Sequence, residues 1–597
     1  MMNVMNKISF EKVVGWLIST LILSFFFYCT VSMYDLYNSQ CINSKFLTWD
    51  PELRYIITLK MMNFLREGKI FHFLGIFFDS PHWPSLRNAI ESLLFLMIGH
   101  STDKVIYFTY SFFVLMPISL LLFLYSQYKM NINFGILFCF FVISLLQSDP
   151  LWLYSFTGML EVQGAYLFPF VSYITWKVFN DPAFIQNKKN GWITFLITFM
   201  LYQTKYPYGY MLVLFLVIFH SIVFFKDSWR FGMSYLGSYK TFKKKLLPIF
   251  SLILLCFFIF FKGTLSGKAP GYILYLSLLL LLVDFFLFFF KELKEEENLR
   301  LYFLIKWILF PIILWIMIQP DRFGSYSGQI THVETQGFNP GQEIDKNLDY
   351  LLVFFTEYIM NGFKEFHISY LILFGNLFLL VYGFIDFYRR KEISLSFYFS
   401  AISILTFIEL SLLTSNRLAR HTYHLYPTMI LAIVVFVLNL SINKRSLAFF
   451  LAMGLLGIVS YPFLVHPIYS LQKTEICYTG YDKNEYITPN WIESKGLSRL
   501  NKNTIIYNMV NPFHVNKADT EYLLYKISYD KHLKVLFDPK RISQLKNEYD
   551  EVWITGNSCT NSDKFKEHSE IFKTWGFQME RAEILSSSSG CIQIFSK

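Results

Sequence analysis

The sequence predicts a polytopic α-helical membrane protein that ends in a smaller α/β domain outside the membrane. Three observations carry that expectation. The 597 residues are 54% hydrophobic and 20% aromatic but only 16% charged, with a mean hydropathy of +0.39, whereas soluble chains carry about 25% charged residues. Apolar runs recur along the first three quarters of the chain, each near the ~20 residues that a helix needs to span hydrocarbon. Near His466 the composition turns polar and the apolar residues regroup into short runs.

About thirteen spans are expected on length and hydropathy. They lie at 13–33, 104–125, 134–148, 152–176, 191–204, 207–225, 246–261, 272–290, 301–318, 367–387, 394–414, 427–442 and 446–465. No small-residue cleavage site follows the first apolar core, so it is expected to stay as an anchor. Basic residues gather in alternate loops, among them Lys7, Lys12, Lys129, Lys188, Lys189, the group from Lys226 to Lys245, Arg389, Arg390, Lys444 and Arg445. That bias places the N-terminus in the cytoplasm of a cytoplasmic (inner) membrane, and an odd number of spans then places the C-terminal tail outside. The formal net charge of +10 is mostly this excess; it implies anionic lipid headgroups as partners, not nucleic acid.

The outer segments are 34–103, 319–366 and the tail 466–597, so the transmembrane part is 1–465. Of the seven cysteines, Cys139 and Cys256 lie inside spans and Cys29 near the end of the first. Cys41, Cys477, Cys559 and Cys591 lie outside, where a disulfide persists. Cys559 with Cys591 is the expected pair, free thiols the alternative. In the tail, "NTIIYNMV", "LKVLF", "EVWITG" and "GCIQIF" read as strands. "ADTEYLLYKIS", "RISQLKNEY" and "SDKFKEHSEIFKTWG" read as helices between them. Alternating signals of this kind imply a small α/β domain. It carries no Gly-rich phosphate fingerprint, so a lid or acceptor-docking module is its plain reading.

The loop behind the first span holds both signs of charge among apolar neighbours: Asp50, Glu52, Arg54, Lys60, Arg66, Glu67, Lys69 and Arg87. Segments such as "YIITLKMMNFL" and "IFHFLGIFF" suit helices lying in the interface. Such a surface fits a ligand that is lipid at one end and phosphate at the other, or a snorkelling helix with no ligand. The pattern "WDPELRY", "REGK", "FFDSPHWPSLRNAIESLLFLMIGHS" resembles the first outer loop of the GT-C class of integral-membrane glycosyltransferases. That class includes the protein O-mannosyltransferases and the lipid A aminoarabinose transferases. Asp50 and Glu52 stand where the class has an adjacent acidic pair, here separated by Pro51. Tyr55 stands for its tyrosine, Gly68 for its turn and Pro81 to Leu86 for its proline stretch. Later, "RHTYHLYP", Arg420 to Pro427, is similar to an Arg–Tyr–Pro–Pro stretch of the class, with His424 in place of the first proline.

The resemblance implies an inverting transfer of a sugar from a polyprenyl-phosphate carrier to an envelope acceptor, which is a lipid, a glycan or a protein. An acceptor hydroxyl needs a base, and a carboxylate contributes about 10²–10⁴-fold; Asp50, then Glu52, are the candidates. Asp50 before Pro51 equally reads as a helix cap with proline in the first turn. Charge developing on the leaving phosphate needs cations; Arg420 and His421, then Arg417, Lys205 and Arg54, are the candidates, with snorkelling as the plain alternative for Lys205. Tyr55, Asp79, His82, Asp149 and Glu161 are candidates for the acceptor side or cavity, although Asp79 and His82 also suit a capped turn. Glu161 beside a span is costly unless it is paired or faces a wet cavity. His332 and Glu334 read as loop residues, Asp284 and Glu409 as hydrogen bonders inside the bundle. The glycosyl phosphate already stores the energy, so no cofactor is required, and no cluster has the spacing of a metal site; some members of the class use a divalent ion. An envelope polysaccharide polymerase or ligase, or a transporter of lipid-linked glycans, are the alternatives; a transporter would favour internal symmetry and midplane charges, which this sequence lacks.

Overall fold

The computed structural model describes residues 10–40, 50–79, 84–99, 102–237, 242–261, 269–291, 299–319, 366–413, 419–465, 504–508, 534–536, 550–556, 570–584 and 591–597. Up to residue 465 these are helical almost throughout. The first half runs α1 (Phe10–Gln40), α2 (Asp50–Arg66), α3 (Ile70–Phe78), α4 (Leu86–Ile98), α5 (Thr102–Gln127), α6 (Ile132–Gln147), α7 (Asp149–Phe156), α8 (Leu160–Asn180), α9 (Pro182–Gln186), α10 (Lys188–Thr204) and α11 (Tyr206–Val223). The second half holds α12 (Phe225–Gly237), α13 (Phe242–Phe261), α14 (Ala269–Lys291) and α15 (Leu299–Leu304). A π-helical turn (Ile305–Leu309) follows, then α16 (Phe310–Ile318), α17 (Phe366–Arg390) and α18 (Leu395–Leu413). A 3-10 helix (Ala419–Leu425), α19 (Tyr426–Asn443) and α20 (Arg445–Val465) complete it.

Among the described residues, six helices are long and apolar enough to cross a membrane, and up to seven if the bent pair α6–α7 counts as one span. They are α1, α5, α11, the α15–α16 run, α17 and the 3-10–α19 run. A helix stands at each of the other expected positions. α13 (20 residues), α14 (23), α18 (19) and α20 (21) are apolar helices as well, although their fully described apolar stretches cover only 10–17 residues each. One expected span, 152–176, is not continuous. The chain breaks between α7 and α8 at Gly158, whose φ of 77° is the left-handed region that glycine enters without a Cβ penalty. The axis also turns by 62° between Ile132–Gln147 and Pro150–Phe156.

Local signals explain the boundaries. Asn131 caps α6 by accepting from Phe134 N–H at 2.9 Å, and Asp181 caps α9 by accepting from Phe184 N–H at 3.1 Å, each satisfying an amide with no partner inside its helix. The interior is packed with Phe, Leu, Ile and Tyr in one continuous buried cluster, while Phe71, Trp192, Trp229 and Phe450 are among the large apolar side chains left exposed. Where α1 meets α6, a Cβ on Gly15 would lie 2.5 Å from Asn131 O. Small residues at such crossings let membrane helices approach closely.

Beyond residue 465 the described residues form a five-stranded sheet in the order β2-β1-β3-β5-β4. Its strands are β1 (Thr504–Asn508), β2 (Lys534–Leu536), β3 (Glu551–Gly556), β4 (Gln578–Ile584) and β5 (Cys591–Ser596). β1 runs parallel to β2 and β3, and β5 antiparallel to β3 and β4. Four strands coincide with expected ones. β4 was not expected, because "QMERAEI" carries charges at an edge and lacks a clean apolar alternation. Residues 570–574 supply a short helix where one was predicted. The helices expected at 518–528 and 541–549, and Cys559 of the expected disulfide, lie outside the described residues.

Candidate functional site

Of the charges behind α1, Arg54, Arg87 and Glu91 are buried, while Lys60, Arg66, Glu67 and Lys69 are exposed. Arg54, one turn into α2, is 1% exposed, and its Nη2 donates to the carbonyl of Gly158 at 2.6 Å. That bond ties α2 to the break between α7 and α8. A second buried group fixes α2 from the other side. Arg87 Nε donates to Glu91 Oε1 at 2.7 Å within α4, Thr58 Oγ1 donates to Glu91 Oε2 at 3.2 Å, and Arg87 Nη2 donates to Thr109 Oγ1 of α5 at 2.5 Å. Both members of the ion pair have side chains 1% exposed. A buried pair of this kind is favourable only with further hydrogen bonds around it, which the two threonines supply.

Glu161, in the first turn of α8, meets Lys205 from the junction of α10 and α11: Nζ lies 2.8 Å from Oε1, with side chains 9% and 2% exposed for Lys205 and Glu161. The ammonium stands 5.9 Å from the Tyr208 ring centroid. Tyr208 stacks on His424 with centroids 3.7 Å apart, and His424 meets Phe168 of α8 edge-on at 5.1 Å. Gly164 makes this approach possible, since a Cβ there would sit 2.6 Å from Tyr208 Cε2 and 3.1 Å from His424 Cβ. Nearby, Tyr154 of α7 lies against Tyr423, ring centroids 5.6 Å apart. The late 3-10 helix is therefore seated on α7, α8 and the start of α11, beside the Glu161–Lys205 pair.

The structure brings together Arg54, Glu161 and Lys205 with the 3-10 helix that carries Arg420 and His421. Asp50 is the first residue of α2 and Glu52 the third, and Asp149 opens α7; the side chains of these three, and of Arg420 and His421, lie outside the described residues, as do Arg417, His82, His332 and Glu334 entirely. Tyr55 is fully buried, edge-on to Phe95 at 6.0 Å, in a cluster with Leu59, Met62, Val105 and Ile106. Its place is in the packing of α2 on α4 and α5. Asp79 closes α3 at the surface and accepts from Gln319 Nε2. Asp284 accepts from Tyr235 Oη at 2.9 Å, as expected of a bundle hydrogen bonder. Glu409 departs from that expectation: it is buried, and neither carboxylate oxygen has a hydrogen-bond partner among the described residues.

Several site residues escaped the sequence reading. Gln203, two residues before Lys205, is 1% exposed and its amide atoms have no hydrogen-bond partner among the described residues. Tyr208 and Gly164 look like ordinary span residues. Arg87 and Glu91 did leave a signal, an i,i+4 pair on an otherwise apolar helix. Among the described residues no group of three or more His, Cys, Asp or Glu is placed to hold a metal ion. Outside the spans, Lys69 lies 2.6 Å from Glu67, and its hydrogen bond holds that exposed carboxyl below the usual range.

No protein-family model and no curated protein matches the chain. Among solved structures it is similar to the crystal structure of ArnT from Cupriavidus metallidurans in the apo state, with 10% identity and a TM-score of 0.44 over 96% of this chain and 98% of that one. At that identity and that score, the likeness assigns no residue a role.

Proposed function

We propose that this chain is an inverting glycosyltransferase of the inner membrane, with about thirteen spans on length and hydropathy and an extracytoplasmic α/β domain at 466–597. It moves a sugar from a polyprenyl-phosphate carrier to an envelope acceptor on the outer face. The observation that supports the reading best is the gathering of separate segments at one place. Arg54 from the first loop is bonded to Gly158, three residues before Glu161; Glu161 pairs with Lys205; and the 3-10 helix that holds Arg420 and His421 packs its His424 on Tyr208, three residues after Lys205.

In this reading the acceptor oxygen attacks the anomeric carbon as the bond from that carbon to the phosphate oxygen breaks. The electron pair leaves with the phosphate, which becomes a monoester on the carrier. The hydroxyl proton passes to a carboxylate at the start of α2, Asp50 or Glu52. Arg54, Arg417, Arg420 and His421 meet the charge that develops on the phosphate. Lys205 already faces Glu161, so its part is to hold the floor of the site or to exchange that carboxylate for the phosphate. The acceptor enters past Glu161, Asp79, His82 and Asp149.

Membranes holding the chain, supplied with radiolabelled polyprenyl-phosphate sugar and an envelope fraction, test the proposal. Asp50→Asn or Glu52→Gln is expected to lower transfer by about 10²-fold or more. Full transfer by both variants would remove the base assignment. Movement of labelled lipid across vesicles with no transfer by the wild type would replace the proposal with a transporter.

A further inference from the structure

One buried carboxylate of the bundle has no part in the chemistry above. Glu409, four residues before the end of α18, is 7% exposed, and neither of its carboxylate oxygens has a hydrogen-bond partner among the described residues. Thr406, one turn earlier, is fully buried, and its Oγ1 has none either. Phe407 and Leu410 beside them are buried hydrocarbon. An acid kept dry inside an apolar helix is costly, and ionisable groups retained in such places mark functional sites.

The helical repeat fixes where Glu409 points. Tyr398, near the start of α18, packs on Phe179 of α8 at 5.8 Å and on Phe215 and Phe219 of α11 at 5.6 and 5.2 Å. Glu409 follows Tyr398 by 11 residues. That is three turns with about 20° left over, so Glu409 faces the same two helices about 16 Å further on. Tyr208 precedes Phe219 on α11 by the same 11 residues. The two helices run antiparallel, since the chain leaving α18 reaches the 3-10 helix whose His424 stacks on Tyr208 at 3.7 Å. The carboxylate therefore comes level with Tyr208, the ring that the Lys205 ammonium approaches.

The chemistry of the group selects what it receives. An ionised carboxylate accepts hydrogen bonds at two oxygens and gives none. The chain of a polyprenyl-phosphate sugar is hydrocarbon and has no donor to offer. Its phosphate carries the same sign of charge and is repelled. The sugar ring, with several hydroxyls, is the part of that molecule that can satisfy both oxygens, and a hydroxyl can also reach the Thr406 Oγ1 beside them. A site built on such groups rejects an analogue that lacks the matching hydroxyl, because its own buried acceptor is then left dry.

We propose that Glu409 is a sugar-binding residue whose two oxygens accept hydroxyls of the donor's ring; the inference rests on the transfer reading and names the part of the donor held at this depth. Thermal unfolding of the solubilised full chain reads it without any transfer. The probes are undecaprenyl phosphate and the same carrier bearing glucose, galactose or mannose. At least one sugar-bearing carrier is expected to bind the wild type about 10-fold or more tighter than the bare carrier. Glu409→Gln should erase that difference and leave binding of the bare carrier unchanged. Removing the sugar's hydroxyls one at a time should cost the wild type about 10-fold at one or two positions and cost the variant nothing. Without ligand the variant should melt no lower than the wild type, because it removes a dry charge that nothing pairs. A Gln variant that keeps the preference for the sugar, or that melts well below the wild type, would overturn the inference. So would a wild type that binds all four carriers alike. A variant that binds the donor normally but shows a raised KM for the acceptor in membranes would move the hydroxyls to the acceptor and end the donor assignment. Sugar-dependent binding by a wild type that transfers to no acceptor would sink the transfer reading and leave Glu409 as a sugar ligand.

Discussion

At the scale of single residues, Glu161 and Lys205 form the buried ion pair of the candidate site. Both side chains are nearly dry, and removing one partner of such a pair costs about 3–5 kcal/mol. Lys205→Met or Glu161→Leu is therefore expected to lower the thermal stability of the solubilised protein sharply. The double variant should recover most of that loss, since two apolar side chains of similar volume leave no buried charge. Transfer should stay lost in the double variant if the pair acts on substrate. Recovery of both stability and transfer would make it a structural pair only. Both residues were visible in the sequence because a charge at a span end is expensive. Their pairing was not visible: they stand 44 positions apart, and only the packing of α8 on α10 and α11 brings them together. Tyr208 and Gly164 show the same limit from the apolar side, because nothing in an apolar stretch marks which aromatic ring will meet a histidine from the far end of the chain.

At the scale of elements, the break between α7 and α8 does more than end a helix. It turns the Gly158 carbonyl toward Arg54, and so connects α2 to the helix that carries Glu161. The run from 152 to 176 is apolar enough to read as one crossing, and "FTGML" holds only a single glycine to argue otherwise. An isolated glycine in a helical pattern is weak evidence of a break, since such residues are tolerated at a cost of ~1 kcal/mol. The φ of 77° decides the outcome. Gly158→Ala must hold a Cβ in the left-handed region, at about 1–2 kcal/mol, or shift the carbonyl that Arg54 uses. Gly158→Asn should be milder, because asparagine enters that region more readily. Thermal unfolding of the solubilised variants and transfer assays should both rank wild type, Asn, then Ala. An alanine variant equal to the wild type in both would mean that the break does not depend on this residue. The buried pair in α4 works at the same scale, holding α2 by side-chain hydrogen bonds in a loop where backbone pairing between helices is not available.

For the whole molecule, the sidedness of the membrane decides what every other feature can do. Hydropathy located the helices well, because a run long enough to cross lipid announces itself without reference to the rest of the chain. Sidedness comes from a different signal, the lysines and arginines held back on the cytoplasmic face. Lys226, Arg230, Arg300, Arg389, Arg390, Lys444 and Arg445 all fall at helix ends or short connections on one set of alternating turns. The charges of the candidate site fall on the other set. If α12 is cytoplasmic, then Lys205, at the opposite end of α11, is external, and so are the 3-10 helix and the start of α2. On the same condition, the alternation would carry the tail from α20 to the outer side. Single cysteines placed at Arg230, which is exposed, and at Lys597, in a chain whose seven native cysteines are replaced, test this in intact cells with a membrane-impermeant maleimide. The cysteine at 597 should be labelled from outside, and the one at 230 only after the membrane is opened. Labelling of 230 from outside would invert the molecule. It would put Glu161 and Lys205 on the cytoplasmic face, where no acceptor of the outer envelope could reach them, and the proposed transfer would fail with the topology.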